Sequence, residues 1–171
     1  MVDGEAGCGR LTVGVTIVIG EAVPAVHGRG EVRVDAAFAE QPDAPDIAGD
    51  RAGRTNTRRP TWSAWRGFAR SVGLAELLLD PLDGLTRGPS GCARLLPGHV
   101  EEIEAALARY RAAHPEAMPG WREPVEGGDP DLGPWRPETE GPDPDLARLA
   151  WLAWWARWAV ERCALPVVAY G

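Results

Sequence analysis

The stretch 143–165 constrains the fold more than any other part of the chain, because it predicts one long helix that carries four of the eight tryptophans. Asp143 is suited to the N-cap, and Pro144 to the first helical turn, where its missing N–H costs nothing. Pro166 ends the helix. About twenty residues without an internal breaker are long for a helix of a globular protein.

Two apolar stripes run along this predicted helix, on nearly opposite sides at 100° per residue. One stripe consists of Leu149, Leu152, Ala156, Val160 and Cys163. The other consists of Trp151, Trp154, Trp155 and Trp158. A helix that is apolar on two sides is normally buried on two sides.

The area of the tryptophan stripe limits how much of it stays exposed. Four buried tryptophans remove on the order of 600–1,000 Å² from water, whereas the largest apolar patch on a monomer is about 300–600 Å². Most of the stripe is therefore predicted to be covered. The cover is either the rest of this chain, which makes the helix a central core helix, or a partner on a partly open aromatic surface.

Charge and composition exclude several function classes. The chain has 171 residues, enough for one domain, and a net charge of −7 that disfavours a general nucleic-acid binder or an anionic membrane surface. Arg148, Arg157 and Glu161 interrupt the apolar run of the long helix, so it is not a membrane span. Three well-separated cysteines give no disulfide or zinc pattern and favour a cytoplasmic protein.

The first 38 residues predict an N-terminal β element. Residues 11–19 alternate in polarity, with Val15, Ile17 and Ile19 on the side predicted to face the core. The preceding acidic residues argue against a signal peptide. Pro24 opens a turn region, and 31–35 alternates again, which predicts a hairpin. Residues 167–170 predict a short last strand that pairs with this sheet.

The rest of the chain divides into a polar linker or loop at 39–60 and a mainly helical part, 61–171, of the same single domain. A helix capped by Thr61 or Ser63 is predicted to run to about Val72, and residues 74–79 are a second short apolar segment, either helical or extended. A further helix is predicted from Pro97 to Ala113, with loops at 84–94 and 115–144. Trp121 and Trp135 are predicted to hold the second loop against the core. The fold class is therefore α+β: a small N-terminal antiparallel sheet packed with about three helices around a long Trp-rich C-terminal helix.

Candidate catalytic residues are few. His99 and Glu102 have helical i, i+3 spacing, but no second histidine completes a metal motif, so a surface pair is favoured. His27 lies in a Gly/Pro-bounded loop. Cys92 follows Gly88 in a sequence that departs from a nucleophile elbow by one glycine position. The sequence predicts no cofactor and no metal. A small enzyme that uses His27, His99 or Cys92 stays an alternative.

The segment 51–70 is the main basic feature, with six arginines and no acidic residue. Trp62 and Trp65 alternate with these arginines, and such a pattern suits phosphate contacts and base stacking. The competing interpretation is that the arginines meet the protein's own acidic surface or water. Nucleic-acid binding through this segment is the second alternative.

The favoured function is protein–protein interaction by a small acidic domain, in an adaptor, inhibitor-like or immunity-like role, because acidic surfaces steer basic partners. The predicted partner is another protein, and no contact with a membrane is predicted. The residues predicted to contact a partner are Trp151, Trp154, Trp155, Trp158, Arg58, Arg59, Trp62 and Arg66.

Overall fold

The computed structural model describes residues 14–24, 32–47, 49–50, 53–120 and 142–171, with the backbone alone at Val32. The strands are β1 (Ile17–Pro24), β2 (Val32–Val34), β3 (Thr57–Arg58), β4 (Gly91–Arg94), β5 (Met118–Pro119), β6 (Pro142–Asp143) and β7 (Pro166–Tyr170). The helices are α1 (Trp62–Ser71), α2 (Ala75–Leu79), α3 (Pro97–Ala113) and α4 (Pro144–Arg162), and a 3-10 turn covers Ala36–Phe38. The fold is α+β, as predicted.

The main sheet is antiparallel, in the order β2-β1-β7-β4, and β3 also pairs with β1. Ile17 is opposite Tyr170, and Ile19 is opposite Val168. These four side chains belong to the core, whereas Val18 on the other face is half-buried. The predicted pairing of the last strand with the N-terminal sheet is confirmed, because β7 lies beside β1 in the centre of the sheet.

The first strand is shifted along the chain relative to its prediction. It begins at Ile17 and continues through Pro24, the residue predicted to open a turn, because Pro24 is opposite Val32 in the hairpin with β2. The alternation that places Val15 and Ile19 in the core is confirmed. The residues 11–13, most of the predicted turn, and Trp121 and Trp135 lie outside the described part of the chain.

The prediction of a loop over 84–94 is wrong at its end, where β4 pairs with β7. The four residues of β4 have no alternation of polar and apolar side chains, so no periodic signal marks them. A Cβ atom at Gly91 would lie 2.6 Å from the hydroxyl oxygen of Tyr170, so a larger residue there requires the Tyr170 side chain to move. The strand forms because β7 offers a free edge.

Helices α1 and α3 form where capping residues and periodicity predict them. The side chain of Thr61 accepts a hydrogen bond from the backbone N–H of Ala64, and Gly73 follows α1 with a φ of +74°, as a C-terminal glycine does. The bounds of α3, Pro97–Ala113, agree with the predicted helix. Its apolar face buries Val100 and Ile103.

Helix α4 lies at the centre of the molecule. The carboxylate of Asp143 caps it, accepting from the backbone N–H groups of Asp145 and Leu146. The helix contacts β1 and β7 on one side and α3 and α1 on others, which explains why it is apolar on more than one face. In the described part of the chain, no helix has the length and apolar character needed to cross a membrane.

The described residues of the segment 39–60 are mostly loop, yet some of them belong to the core. Ala44 and Ile47 are buried, and the end of the segment forms β3 against β1. The side-chain amide of Asn56 donates to the carbonyl oxygen of Ile19 at 2.8 Å. Although its composition is polar, this segment packs against the rest of the domain. It covers one side of α4.

Candidate interaction groove

The four tryptophans of α4 fall into two pairs with different surroundings. Trp151 and Trp155 are fully buried, whereas Trp154 and Trp158 are half-buried. Helical geometry explains the split: at 100° per residue, the mean direction of the first pair differs from that of the second by about 60°. The first pair therefore points under the segment 39–60, and the second points to the edge of the covered surface.

The rest of the chain covers Trp151 through specific polar contacts. Its indole N–H donates to the carbonyl oxygen of Thr55 at 2.8 Å. The guanidinium of Arg58 lies over its ring, 5.4 Å from the ring centroid, and also donates to the carbonyl oxygen of Gly53 at 3.2 Å. The cation–π contact holds Arg58 in the core. Neither Trp151 nor Arg58 is therefore part of an open surface.

Trp155 supports the two half-exposed tryptophans from below. Its ring packs edge-on against Trp154 at 4.9 Å and against Trp158 at 5.2 Å between centroids. Among the described residues its buried indole nitrogen has no hydrogen-bond partner. Trp158 also contacts Phe38 at 5.6 Å. The half-buried rings of Trp154 and Trp158 are thus held in place by the fully buried ring of Trp155.

The rings of Trp154 and Trp158 form the floor of a groove of about 820 Å³, which we call the α4 groove. Helix α3 forms one wall, and the chain from Phe38 to Pro45 forms the other. Its lining residues are Phe38, Gln41, Asp43, Pro45, Glu104, Leu107, Arg111, Ala150, Ala153, Trp154, Arg157, Trp158, Glu161 and Arg162. This volume lies in the range typical of small-molecule binding sites.

One arginine of the groove is neutralised by its neighbours. Arg157 forms ion pairs with Glu104 of α3 and with Glu161 one turn further along α4. The hydrogen bond from Arg157 lowers the pKa of Glu104, and the two carboxylates raise the pKa of Arg157. Glu104 and Arg157 therefore stay charged near neutral pH, and their ion pair ties α3 to α4 at the rim of the groove.

Other charges at the groove have no such partner. Within the described ranges, Asp43, Arg111 and Arg162 form no ion pair and no side-chain hydrogen bond, and all three are exposed. With the three groups of the Arg157 cluster, the described residues that line the groove include three acidic and three basic side chains. The formal charges of these described lining residues sum to zero, in a chain whose net charge is −7.

The Arg/Trp segment does not form one continuous surface. Trp65 is fully buried, and its indole N–H donates to the hydroxyl of Thr86 at 2.9 Å. Trp62 is half-buried against the core, while Arg59 and Arg66 are exposed. Because Arg58 is also buried, the alternation of arginine and tryptophan in sequence does not become an alternation on the surface.

The two candidate catalytic residues that the structure describes lie on different elements, Cys92 on β4 and His99 on α3. The Nδ1 atom of His99 accepts from the backbone N–H of Leu96 at 3.2 Å, so the ring helps to cap α3. Cys92 lies half-buried on the outer face of the sheet, where burial raises its pKa and disfavours the reactive thiolate. His27 lies outside the described residues. In the part of the chain that is described, no cluster of three metal-ligating side chains occurs.

The wall formed by Phe38 to Pro45 was not predicted as part of a site. The one sequence signal is Phe38 itself, a large apolar residue immediately before a polar, proline-rich stretch. Its ring is 39 % exposed and lies on Trp158. Leu107 and Arg111 lie within the predicted helix from Pro97 to Ala113, but their position beside α4 depends on how the two helices pack.

Comparison of the chain with models of known protein families, with characterised proteins and with solved structures finds no significant match.

Proposed function

We propose that this chain is a protein–protein interaction domain that docks its partner in the α4 groove. The observation that carries the proposal is the pair Trp154 and Trp158, half-exposed on α4 and supported by the buried Trp155. Tryptophan and arginine dominate the energetics of protein interfaces, and preordered anchors lose little entropy on binding. The groove combines both residue types around a fixed aromatic floor.

The charges support a division of roles between the whole chain and the groove. A net charge of −7 steers a basic partner over long distances. The groove, with balanced charges, would then supply short-range packing and register. Adaptor, inhibitor-like and immunity-like roles are all forms of this proposal. Two free cysteines among the described residues support a cytoplasmic location.

The test is capture of partners by the tagged chain from extracts of the source organism. Trp158→Ala removes an anchor of the groove that is not fully buried, so the fold should survive. Leu82→Ala is the matched control, because Leu82 is 75 % exposed and does not line the groove. We expect Trp158→Ala to weaken binding of the captured protein by at least about tenfold.

Circular dichroism and a thermal melt establish that both variants are folded. Leu82→Ala should bind as the wild type does. Equal binding by Trp158→Ala and the wild type would contradict the proposal, since the groove would then contribute nothing to the contact.

A further inference from the structure

We infer that the α4 groove seats a second copy of this chain, in a two-fold symmetric dimer whose α4 helices cross antiparallel. The inference rests on the proposed function of the groove and names its partner. It depends on the positions of two unpaired charges, Asp43 and Arg162, relative to the aromatic pair formed by the exposed Phe38 and the half-buried Trp158.

The wall of the groove runs antiparallel to α4, and two contacts establish this direction. Phe38 lies beside Trp158, with 5.6 Å between ring centroids. Twelve residues later, the carboxylate of Asp50 accepts from Arg148 at 2.7 Å, ten residues before Trp158 on α4. The chain that carries Asp43 therefore leads from Trp158 toward the N-terminal end of α4.

Arg162 lies in the opposite direction from the same aromatic pair. It follows Trp158 by four residues, about 6 Å along the helix axis and about 40° around it, so both lie on one face of α4. This face borders the wall that carries Phe38, because Trp158 contacts that ring. Asp43 and Arg162 thus lie on one side of the groove, with the aromatic pair between them.

A two-fold axis through the aromatic pair, lying in the interface and perpendicular to α4, brings these charges together. Such an axis reverses direction along α4 but keeps the side of the groove. Asp43 of one copy then faces Arg162 of the second copy, and the reverse pair forms by symmetry, as a self-complementary interface requires. Phe38 of each copy, exposed at the edge of the groove and packed on Trp158, then lies at the centre of the interface, where interface anchors cluster.

The balance of charge in the groove favours this occupant. Two chains of net charge −7 repel each other over most of their surface. Among the described side chains that line the α4 groove, three acidic groups are matched by three basic ones, so these side chains add no net repulsion when two copies approach.

Sedimentation equilibrium of the purified full chain over a wide concentration range tests the inference. We expect a reversible monomer–dimer equilibrium. Asp43→Arg and Arg162→Asp each place like charges opposite one another twice per dimer, so each should weaken association by at least about tenfold. The double variant restores opposite charges and should return association to within about threefold of the wild type.

The two single variants also control for net charge. Asp43→Arg changes it from −7 to −5 (−7 + 2), and Arg162→Asp changes it from −7 to −9 (−7 − 2). A general charge effect would strengthen one dimer and weaken the other, whereas a specific pair makes both weaker. Both side chains are exposed, so the substitutions should leave the fold intact.

A chain that stays monomeric at every concentration would overturn the inference, and so would a dimer that the charge reversals leave unchanged. Neither result by itself contradicts the proposed function, because the groove can still bind another protein. A monomer that still captures another protein, and loses it with Trp158→Ala, keeps the groove as a docking site but with a different occupant. A dimer that the double variant rescues identifies the second copy as the partner.

Discussion

Arg148 and Asp50 form a two-pronged ion pair that is almost sealed from water. The Nε and a terminal nitrogen of Arg148 donate to the two carboxylate oxygens of Asp50, at 2.7 Å and 3.1 Å. The side chains are only 10 % and 8 % exposed. Asp50 also has a φ of +50°, in the left-handed region. This pair holds the segment 39–60 against α4 and so places the wall of the α4 groove.

Asp50→Asn should destabilise the fold by about 3 kcal/mol, because it leaves a buried guanidinium without its main counter-charge. Asparagine tolerates the left-handed backbone, so the substitution isolates the effect of charge. Asp145, 3.4 Å from Arg148, limits the loss. Urea denaturation measures it. The control is Asp46→Asn at an exposed pair, which should cost less than about 1 kcal/mol. Equal effects of the two substitutions would contradict a stabilising role for the buried pair.

Two fully buried tryptophans offer a matched test of hydrogen bonding. The indole N–H of Trp65 donates to Thr86, whereas that of Trp155 has no acceptor among the described residues. Trp65→Phe loses a hydrogen bond, while Trp155→Phe removes an unsatisfied donor. We expect Trp65→Phe to cost about 1–2 kcal/mol more than Trp155→Phe, as measured by urea denaturation. A larger cost at Trp155 would mean that its nitrogen is satisfied in solution.

Tyr110 should make stability fall at alkaline pH. Its hydroxyl donates to the carboxylate of Asp143 at 2.9 Å, and burial together with that carboxylate raises its pKa above the ordinary value of 10.0. A raised pKa in the folded state gives stability that is present below about pH 10 and is lost as pH rises toward the folded value. The variant Tyr110→Phe lacks this hydroxyl group, so residue 110 no longer titrates.

Urea midpoints of the wild type and Tyr110→Phe at about pH 8 and about pH 11, on either side of the ordinary tyrosine pKa, test this expectation. The advantage of the wild type should shrink at the higher pH, since all other titrating groups are shared. A constant difference between the two proteins would show that the phenol is not titrated differently in the folded and unfolded states.

Gly20 in β1 should tolerate no side chain, because a Cβ atom would lie 2.7 Å from a methyl carbon of Val34. Gly20→Ala is expected to destabilise the fold by about 1–3 kcal/mol through overpacking. Combining it with Val34→Ala removes the clashing methyl groups. The double variant should then be more stable than the sum of the two single effects predicts, as a double-mutant cycle in urea measures. Simple additivity would exclude the clash.

Local sequence signals predicted the elements that neighbouring residues stabilise. Asp143 caps α4, Thr61 caps α1, and the bounds of α3 agree with its periodicity and its opening Pro97. The alternation at Val15, Ile17 and Ile19 identified the buried face of β1. By contrast, β4 was missed because its pairing depends on β7, more than seventy residues later, and not on its own composition.

By itself the sequence determined that α4 would be a long, capped helix with a tryptophan stripe too large to stay bare, because capping and helical spacing act within a few residues. Only the tertiary structure decided which tryptophans are covered. Trp151 is buried by a carbonyl of Thr55, 96 residues away, and by Arg58, while Trp154 and Trp158 stay half-exposed beside Phe38. Such contacts depend on how distant segments pack, and no local pattern in α4 specifies them.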